Sequence, residues 1–320
     1  MTSNLIDTIE KVLLFPGILF TLVMSIWLSG FDRKMVAKMQ RRVGPPLLQP
    51  LWDYLKFCGK ETIIPRKANK RVFLWAPILG VATVLVIALL LPVGPFKAFE
   101  GSADLIVILY LLTLASVTLI MGSAASGSPF AGVGLSREMV SMISYELPFV
   151  IVIIAVGRRV GLDTGLGVTF SLSEICDYQV RNGALITNIA LIPAAIAMLC
   201  VIPCEVGQQP FDIDEAETEI CEGTLAEYSG RPLARFKMMH YIKMYIMSGL
   251  FVTLFVHIST GMVAVDILLY VLLCTLVTFI SMTVPHAVCA RFKVEQVFTF
   301  YWTFVSALAL LSLIFVWLGL

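Results

Sequence analysis

Charge is scarce in this 320-residue chain: Asp, Glu, Lys and Arg supply 14% of it, against 58% hydrophobic residues and a mean hydropathy of +0.90. That imbalance excludes an ordinary soluble globular domain, and no nucleic-acid partner is expected. Histidine is almost absent. His240, His257 and His286 lie far apart in sequence, and none is read as a metal ligand. The seven cysteines form no C-x-x-C pair and no iron–sulfur spacing. Cys200 and Cys204 share a helical face, as a metal-binding thiolate pair would, but small apolar core side chains account for them. No Ser/His/Asp set and no phosphate-binding loop is present, so the chain is expected to carry no redox centre, metal or cofactor of its own. Direct repeats and low-complexity linkers are missing too, which leaves residues 1–320 as a single membrane domain.

What the chain has in abundance is long apolar runs. About 20 apolar residues cross the ~30 Å hydrocarbon layer as a helix, and backbone groups in lipid must be paired internally. The fold class is therefore all-α, a polytopic membrane protein with eight transmembrane helices and charged cytoplasmic loops. The expected spans are Val12–Leu28, Val72–Leu91, Leu105–Met121, Met139–Gly157, Leu185–Ile202, Met244–Ile258, Ile267–Val284 and Val297–Leu318. Val12–Leu28 has no basic leader and no small-residue cleavage site, so it reads as a span and not as a signal peptide.

Lys and Arg in the connections set the expected orientation. With the loop Phe31–Arg71 in the cytoplasm, that side holds 18 of the 23 basic residues. The other side holds Lys11, Lys97, Arg158, Arg159 and Arg181. A multi-pass protein of the cell membrane with both termini outside is the result. The two large cytoplasmic loops differ in sign: Phe31–Arg71 is net +8 and Cys204–Lys243 net −4. They can face each other or a soluble partner.

From Glu205 to Gly230 there are eight carboxylates and no Lys or Arg, beside two spans. Charge next to a bilayer is costly, and movement of cations or protons is the reading that gives it a use. From Asp212 the stretch reads as a helix. Asp212, Glu215, Glu219 and Glu222 then share one face, with Asp214 and Glu217 on another. Pro210 reads as its start signal and Gly230-Arg231-Pro232 as its stop. Glu146 is the acidic residue placed well inside an expected span, about 12–14 Å beyond Arg137 at 1.5 Å per residue. A carboxyl group there is hard to ionise without a cation or water nearby, which suits a proton or sodium relay. The ion-coupling candidates are Glu138, Glu146, Glu205, Asp212, Asp214, Glu215, Glu217, Glu219, Glu222 and Glu227.

In the basic loop, Gly44-Pro45-Pro46 forbids a continuous helix. Leu51–Phe57 then mixes apolar and charged positions as a short helix lying on the lipid interface does, with Trp52 and Tyr54 at headgroup level. Arg33, Lys34, Arg41, Arg42, Lys60 and Glu61 are the candidates for docking a soluble partner.

Four ordered blocks resemble subunit 1 of respiratory complex I and its relatives in energy-converting, group 4 membrane-bound NiFe hydrogenases. The first runs through Asp32-Arg33-Lys34, Gln40, Arg42, Gly44-Pro45, Leu48-Gln49-Pro50, Asp53, Lys56, Lys60-Glu61 and Pro65. Ile143-Ser144-Tyr145-Glu146 is the second. The third holds Glu205, Pro210-Phe211-Asp212, Glu215, Glu217, Glu219, Gly223 and Glu227-Tyr228-Ser229-Gly230, and the last Arg291, Lys293, Glu295-Gln296 and Trp302. The family's eight-helix core agrees with the count of apolar runs. Within it, the short Gly44-Pro45-Pro46 turn and Arg137-Glu138-Met139 resemble the hydrogenase branch. Val206-Gly207-Gln208 replaces a Thr-Asn-Arg that lines the quinone chamber in complex I.

The resemblance implies a membrane anchor and ion-coupling subunit of a ferredoxin-dependent, hydrogen-evolving complex. Hydrogenase large and small subunits and a ferredoxin-like iron–sulfur subunit, carrying the NiFe centre and 4Fe-4S clusters, would dock on the cytoplasmic face. Antiporter-like membrane subunits and lipid would surround the spans, with proton or sodium as the translocated ion. Alternatives within the family are a sulfane-sulfur reductase and a quinone-reducing complex. Outside it, a stand-alone secondary transporter requires inverted repeats that the sequence does not show, and a purely structural anchor, whose carboxylates only bind the partner, stands as the alternative that mutation of Glu146 separates from coupling.

Overall fold

The computed structural model describes residues 11–94, 96, 104–165 and 167–319. Among these the chain is helical throughout, with two isolated backbone bridges, Val93–Phe96 and Asp104–Ser171, in place of strands. In chain order the helices are α1 (Ile18–Met39), α2 (Gln49–Gly59), α3 (Lys70–Leu90), α4 (Leu105–Ser126), α5 (Pro129–Thr164), α6 (Leu172–Asn182) and α7 (Ile192–Val206). They continue with α8 (Gly230–Phe255), α9 (Val263–Val288) and α10 (Val294–Trp317). All but α2 and α6 belong to the eight helices long and apolar enough to cross a membrane. Both α9 and α10 contain a π-helical stretch, at Phe279–Thr283 and Tyr301–Val305.

Three helices extend well past the apolar runs that announce them. α1 continues to Met39, so Asp32, Arg33 and Lys34 sit on its last turns and not in a loop. Nothing in that stretch breaks a helix before Gly44-Pro45-Pro46. α5 starts ten residues before the expected Met139 and ends only at Gly165, where the backbone turns left-handed (φ +77°). At 36 residues it is about 54 Å long, so its ends project beyond the hydrocarbon layer.

α8 departs furthest from expectation. The span expected at Met244–Ile258 begins at Gly230 and ends at Phe255. Gly230-Arg231-Pro232 is the start of this helix, not the stop of the one before. A proline costs nothing in a first turn, whose N–H groups have no intrahelical partner. Gly230 itself (φ +61°) lies so close to Glu61 that an added Cβ would meet that carbonyl oxygen at 2.6 Å. The mean hydropathy of α8 is 1.2 against 2.5 for α3, α4 and α9, because it is surrounded by protein. It packs on α1, α2, α3, α7 and α9, and its Lys and His side chains meet protein groups instead of lipid.

The acidic stretch is not the amphipathic helix that its spacing predicts. Only a single turn, Glu217–Ile220, and a 3-10 turn, Gly223–Leu225, form there, separated by left-handed residues Cys221 and Glu222 (φ 52° and 66°). Asp212, Glu215, Glu219 and Glu222 therefore share no helical face. The segment instead folds back over α5. Gly134 permits the contact, since a Cβ there would lie 2.6 Å from the Thr224 nitrogen and 3.0 Å from the Asp214 carbonyl oxygen. At its far end Tyr228 stacks on Phe73 (centroids 4.1 Å apart) and donates to the Phe73 carbonyl oxygen at 3.3 Å. α2 lies where an interfacial helix is expected, with Trp52 and Leu55 exposed. The amphipathic helix α6, between α5 and α7, was not anticipated.

Candidate functional site

Four carboxylates of the acidic stretch are joined to cations supplied by other elements. Glu205, at the end of α7, pairs with Lys243 of α8 at 3.1 Å, and the two side chains are 1% and 6% exposed. Glu215 pairs with Lys237 of α8 at 3.0 Å, and Glu219 with Arg137 of α5 at 2.6 Å. Asp212 receives two bonds from Arg291, at 2.9 and 2.6 Å, from the connection between α9 and α10. Such a fork is the strongest pairing a carboxylate forms with a side chain. The sequence segment without Lys or Arg thus becomes part of an alternating acid–base cluster.

Its members are held in different charge states. Burial, reinforced by neighbouring Glu215, raises Asp214 to about 7, although Thr224 donates to it at 3.2 Å. Burial also acts on Glu215, but Lys237 and His240 overcome it and hold that carboxyl below its usual range. The bond to Asp212 raises the Arg291 guanidinium further. Asp214 is therefore the member outside the spans best placed to gain and lose a proton near neutrality.

Two neighbouring cavities lie within the cluster. The inner one has a volume of about 30 Å³, enough for a water or two, and is walled by Glu138, Glu205, Asp214, Glu215, His240 and Lys243 beneath Leu119, Leu225 and Phe236. The outer one, about 310 Å³, lies between α1, α8 and α9. Asp32 and Arg33 line it from α1, Gln208, Asp212, Glu215 and Glu217 from the acidic stretch, Lys237, His240 and Tyr241 from α8, and His286 from α9. Gly207, Glu215 and His240 border both. From the inner cavity Lys243 donates to Ser116 of α4 at 2.8 Å, and that hydroxyl is 3.4 Å from the Tyr145 hydroxyl of α5. Tyr145 precedes Glu146.

The expected ion-coupling residues divide accordingly. Glu138, Glu205, Asp212, Asp214, Glu215 and Glu217 border the cavities, whereas Glu219, paired with Arg137, lines a separate surface hollow with Ile213 and Arg291. Glu222 is exposed, Glu227 half-buried, and neither borders the two cavities. Glu146 is half-buried in the middle of α5, outside both, with no hydrogen bond or ion pair among the described residues. Of the expected docking residues, Arg33 is engaged inside the protein. It donates to Asp53 of α2 at 2.8 Å and to the Tyr241 hydroxyl at 3.1 Å. Burial acts to raise Asp53, but this bond and one from Gln49 prevail and lower it. Lys34 is half-buried, whereas Arg41, Arg42, Lys60 and Glu61 are exposed.

Sequence reasoning missed Lys237, His240 and Lys243, which it assigned to a loop and to unassigned histidines. It also missed Asp32, Gln208 and His286 as a group. The available signal was the low hydropathy of α8 between two highly apolar spans, with basic side chains three residues apart. Among the described residues no three His, Cys, Asp or Glu side chains converge as a metal-ligand set.

A family profile described as NADH dehydrogenase matches residues 11–317. An NADH-quinone oxidoreductase subunit of Dehalococcoides mccartyi strain 195 is 30% identical over 313 residues, covering 95% of this chain and 84% of that protein. The corresponding NADH-quinone oxidoreductase subunit of Thermomicrobium roseum is 32% identical over 310 residues, 90% of this chain and 89% of the relative. Among solved structures, a chain of the membrane-bound sulfane sulfur reductase, an archaeal respiratory membrane complex, superposes with a TM-score of 0.88 at 27% identity. That match covers 97% of this chain and 99% of the other.

Proposed function

Because this chain belongs to the NADH dehydrogenase family, as a membrane subunit of a complex I-like respiratory complex, we propose that it couples electron transfer in a soluble arm to ion movement through the membrane. The observation that carries this reading is the pair of neighbouring cavities with ionisable walls, which share Gly207, Glu215 and His240. A purely structural anchor has no use for Glu205, Lys243 and Glu138 gathered around buried space, where each charge costs several kcal/mol to desolvate. Redox change in the arm alters the charge at the outer cavity. Asp214, Glu215 and Glu205 pass the change inward, and the Lys243–Ser116–Tyr145 chain leads toward Glu146. Half-exposed on the flank of α5, Glu146 faces the place where an antiporter-like neighbour would pack. The ion is a proton or sodium.

For the arm we propose a ferredoxin-oxidising, hydrogen-evolving NiFe hydrogenase. Its large and small subunits and a ferredoxin-like subunit with 4Fe-4S clusters would sit over Arg41, Arg42, Lys60 and Glu61. A sulfane-sulfur reductase arm is the second reading, favoured by the full-length structural similarity to a chain of that complex. A quinone-reducing arm fits less well, because the outer cavity is lined mostly by polar and ionisable side chains. Purification of the intact complex through a tag on this chain tests the choice. Nickel together with hydrogen evolution from reduced ferredoxin supports the first reading; sulfide production without nickel supports the second, and quinol formation the third. Purification without any redox subunit contradicts all three.

We place both termini outside and the acidic stretch in the cytoplasm, following the Lys and Arg distribution. Single-cysteine labelling in intact cells checks this orientation. Cysteines at Lys56 and Glu217 should be protected and one at Arg159 accessible; labelling of Lys56 and Arg159 from the same side contradicts it.

A further inference from the structure

Two imidazoles from different helices meet at one amide in the outer cavity. Gln208 Nε2 donates to Asp32 Oδ2 at 2.9 Å and lies 3.0 Å from His286 Nδ1. Its Oε1 is 3.3 Å from His240 Nε2. Both amide hydrogens are thus used, one on Asp32 and one on His286, while the oxygen accepts from His240. In this arrangement His286 Nδ1 has no hydrogen and His240 Nε2 has one. Asp32 is 2% exposed, and its other oxygen accepts from Thr283 at 2.7 Å. Its Oδ2 is also 3.5 Å from His286 Nδ1, close enough to receive a proton-bearing imidazolium.

Protonation of His286 cannot leave this arrangement intact. A proton taken from cavity water onto Nδ1 places a hydrogen opposite the amide hydrogen of Gln208, two donors 3.0 Å apart. The imidazolium is then drawn to Asp32, forming a charge-assisted bond, and the Gln208 amide loses its partner. Released on that side, the amide no longer holds its oxygen on His240. His240 is the histidine that borders both cavities, with Glu215, Lys237 and Lys243 around it. From α1, Asp32 and Arg33 face the same space, and from the acidic stretch Asp212 does.

We propose that His286 is a proton-loading site in the outer cavity and that Gln208 carries its protonation state to His240, at the mouth of the inner carboxylate cavity. This assignment rests on the coupling reading above. The His286 ring lines the outer cavity, with its Nδ1 3.0 Å from the Gln208 amide and 3.5 Å from the Asp32 carboxylate that would receive the imidazolium. Gln208 contributes no proton of its own. Its task is positional.

The test measures ions moved per electron transferred in sealed inverted vesicles that hold the whole complex, with subunit content checked by gel. His286→Gln keeps an acceptor for the Gln208 amide but cannot load a proton, and it should lower the ratio about tenfold or more. Gln208→Leu should do the same, and the double variant should fall no lower than the worse single one, because both act on one link. His286→Gln at the wild-type ratio overturns the loading site, and a double variant that multiplies the two losses overturns the serial link. Glu138→Gln, which borders the inner cavity and leaves the buried Glu205–Lys243 pair intact, serves as the reference arm. If it uncouples while His286→Gln does not, only this inference fails; if neither uncouples, the coupling reading fails with it.

Discussion

The acidic stretch from Glu205 to Gly230 and the basic loop from Gln40 to Arg71 are the two dense patches of charge in this molecule, and they are treated in opposite ways. The acidic one is drawn inward. Its carboxylates find Lys237 and Lys243 on α8, Arg137 on α5 and Arg291 beyond α9, and they enclose two cavities. In the basic loop, Arg41, Arg42 and Lys60 stay at the surface. The difference lies in the availability of counter-charge: the bundle offers cations at the level of the acidic stretch, and no carboxylate pairs with these three basic residues among the described contacts. The acidic patch is enclosed and largely paired, and the unpaired surface charge is what the proposed docking of a soluble arm would use.

The largest effect should follow from unbalancing the buried pair. Lys243→Met leaves Glu205 buried without its cation, which should cost about 3–5 kcal/mol and prevent assembly of the complex. Lys243→Met combined with Glu205→Gln should recover most of that loss, read as the yield and thermal inactivation midpoint of the purified complex. A stable Lys243→Met single variant would mean that the pair carries no buried charge, and the contrast between the two regions would collapse.

A smaller effect belongs to the surface. Reversing Arg41, Arg42, Lys60 and Glu61 together should weaken retention of the soluble arm by about 1–3 kcal/mol, since exposed pairs contribute roughly 0.2–1 kcal/mol each. The loss should be greatest at low salt and shrink as salt screens the charges. Retention of the arm at every ionic strength would show that the basic loop serves orientation alone.

The existence and order of the eight spans were legible because lipid imposes about 20 apolar residues on each of them. The short helix α2 was legible too, from the break at Gly44-Pro45-Pro46 and the mixed apolar and charged positions of Leu51–Phe57. What could not be read was α8. A helix enclosed by protein needs no apolar exterior, so the hydropathy signal that marks lipid-facing spans places its start 14 residues too late, at Met244 instead of Gly230. The acidic stretch misled for a related reason. Its three- and four-residue spacing fits a helix, yet Asp212, Glu215 and Glu219 are each held by a cation elsewhere in the chain, and those pairings together with the left-handed Cys221–Glu222 turn prevail over local periodicity. Gln208 stood out only as the replacement of an arginine. That it gathers Asp32, His240 and His286 depends on contacts between residues up to 176 positions apart.

Two carboxylates of α5, Glu138 and Glu146, give the sharpest test of the central claim, that the enclosed acid–base cluster moves ions. Glu138 borders the inner cavity with Asp214, Glu205, Glu215 and Lys243, while Glu146, the residue after Tyr145, stands half-buried outside it. The decisive measurement is ion uptake into inverted vesicles, normalised to electrons delivered to the acceptor, for Glu138→Gln and Glu146→Gln. Gln keeps the size and hydrogen bonding of the side chain but cannot exchange a proton. The account predicts assembled complexes whose ratio falls about tenfold or more in each variant. Wild-type ratios in both would contradict it and leave the cluster as a structural anchor.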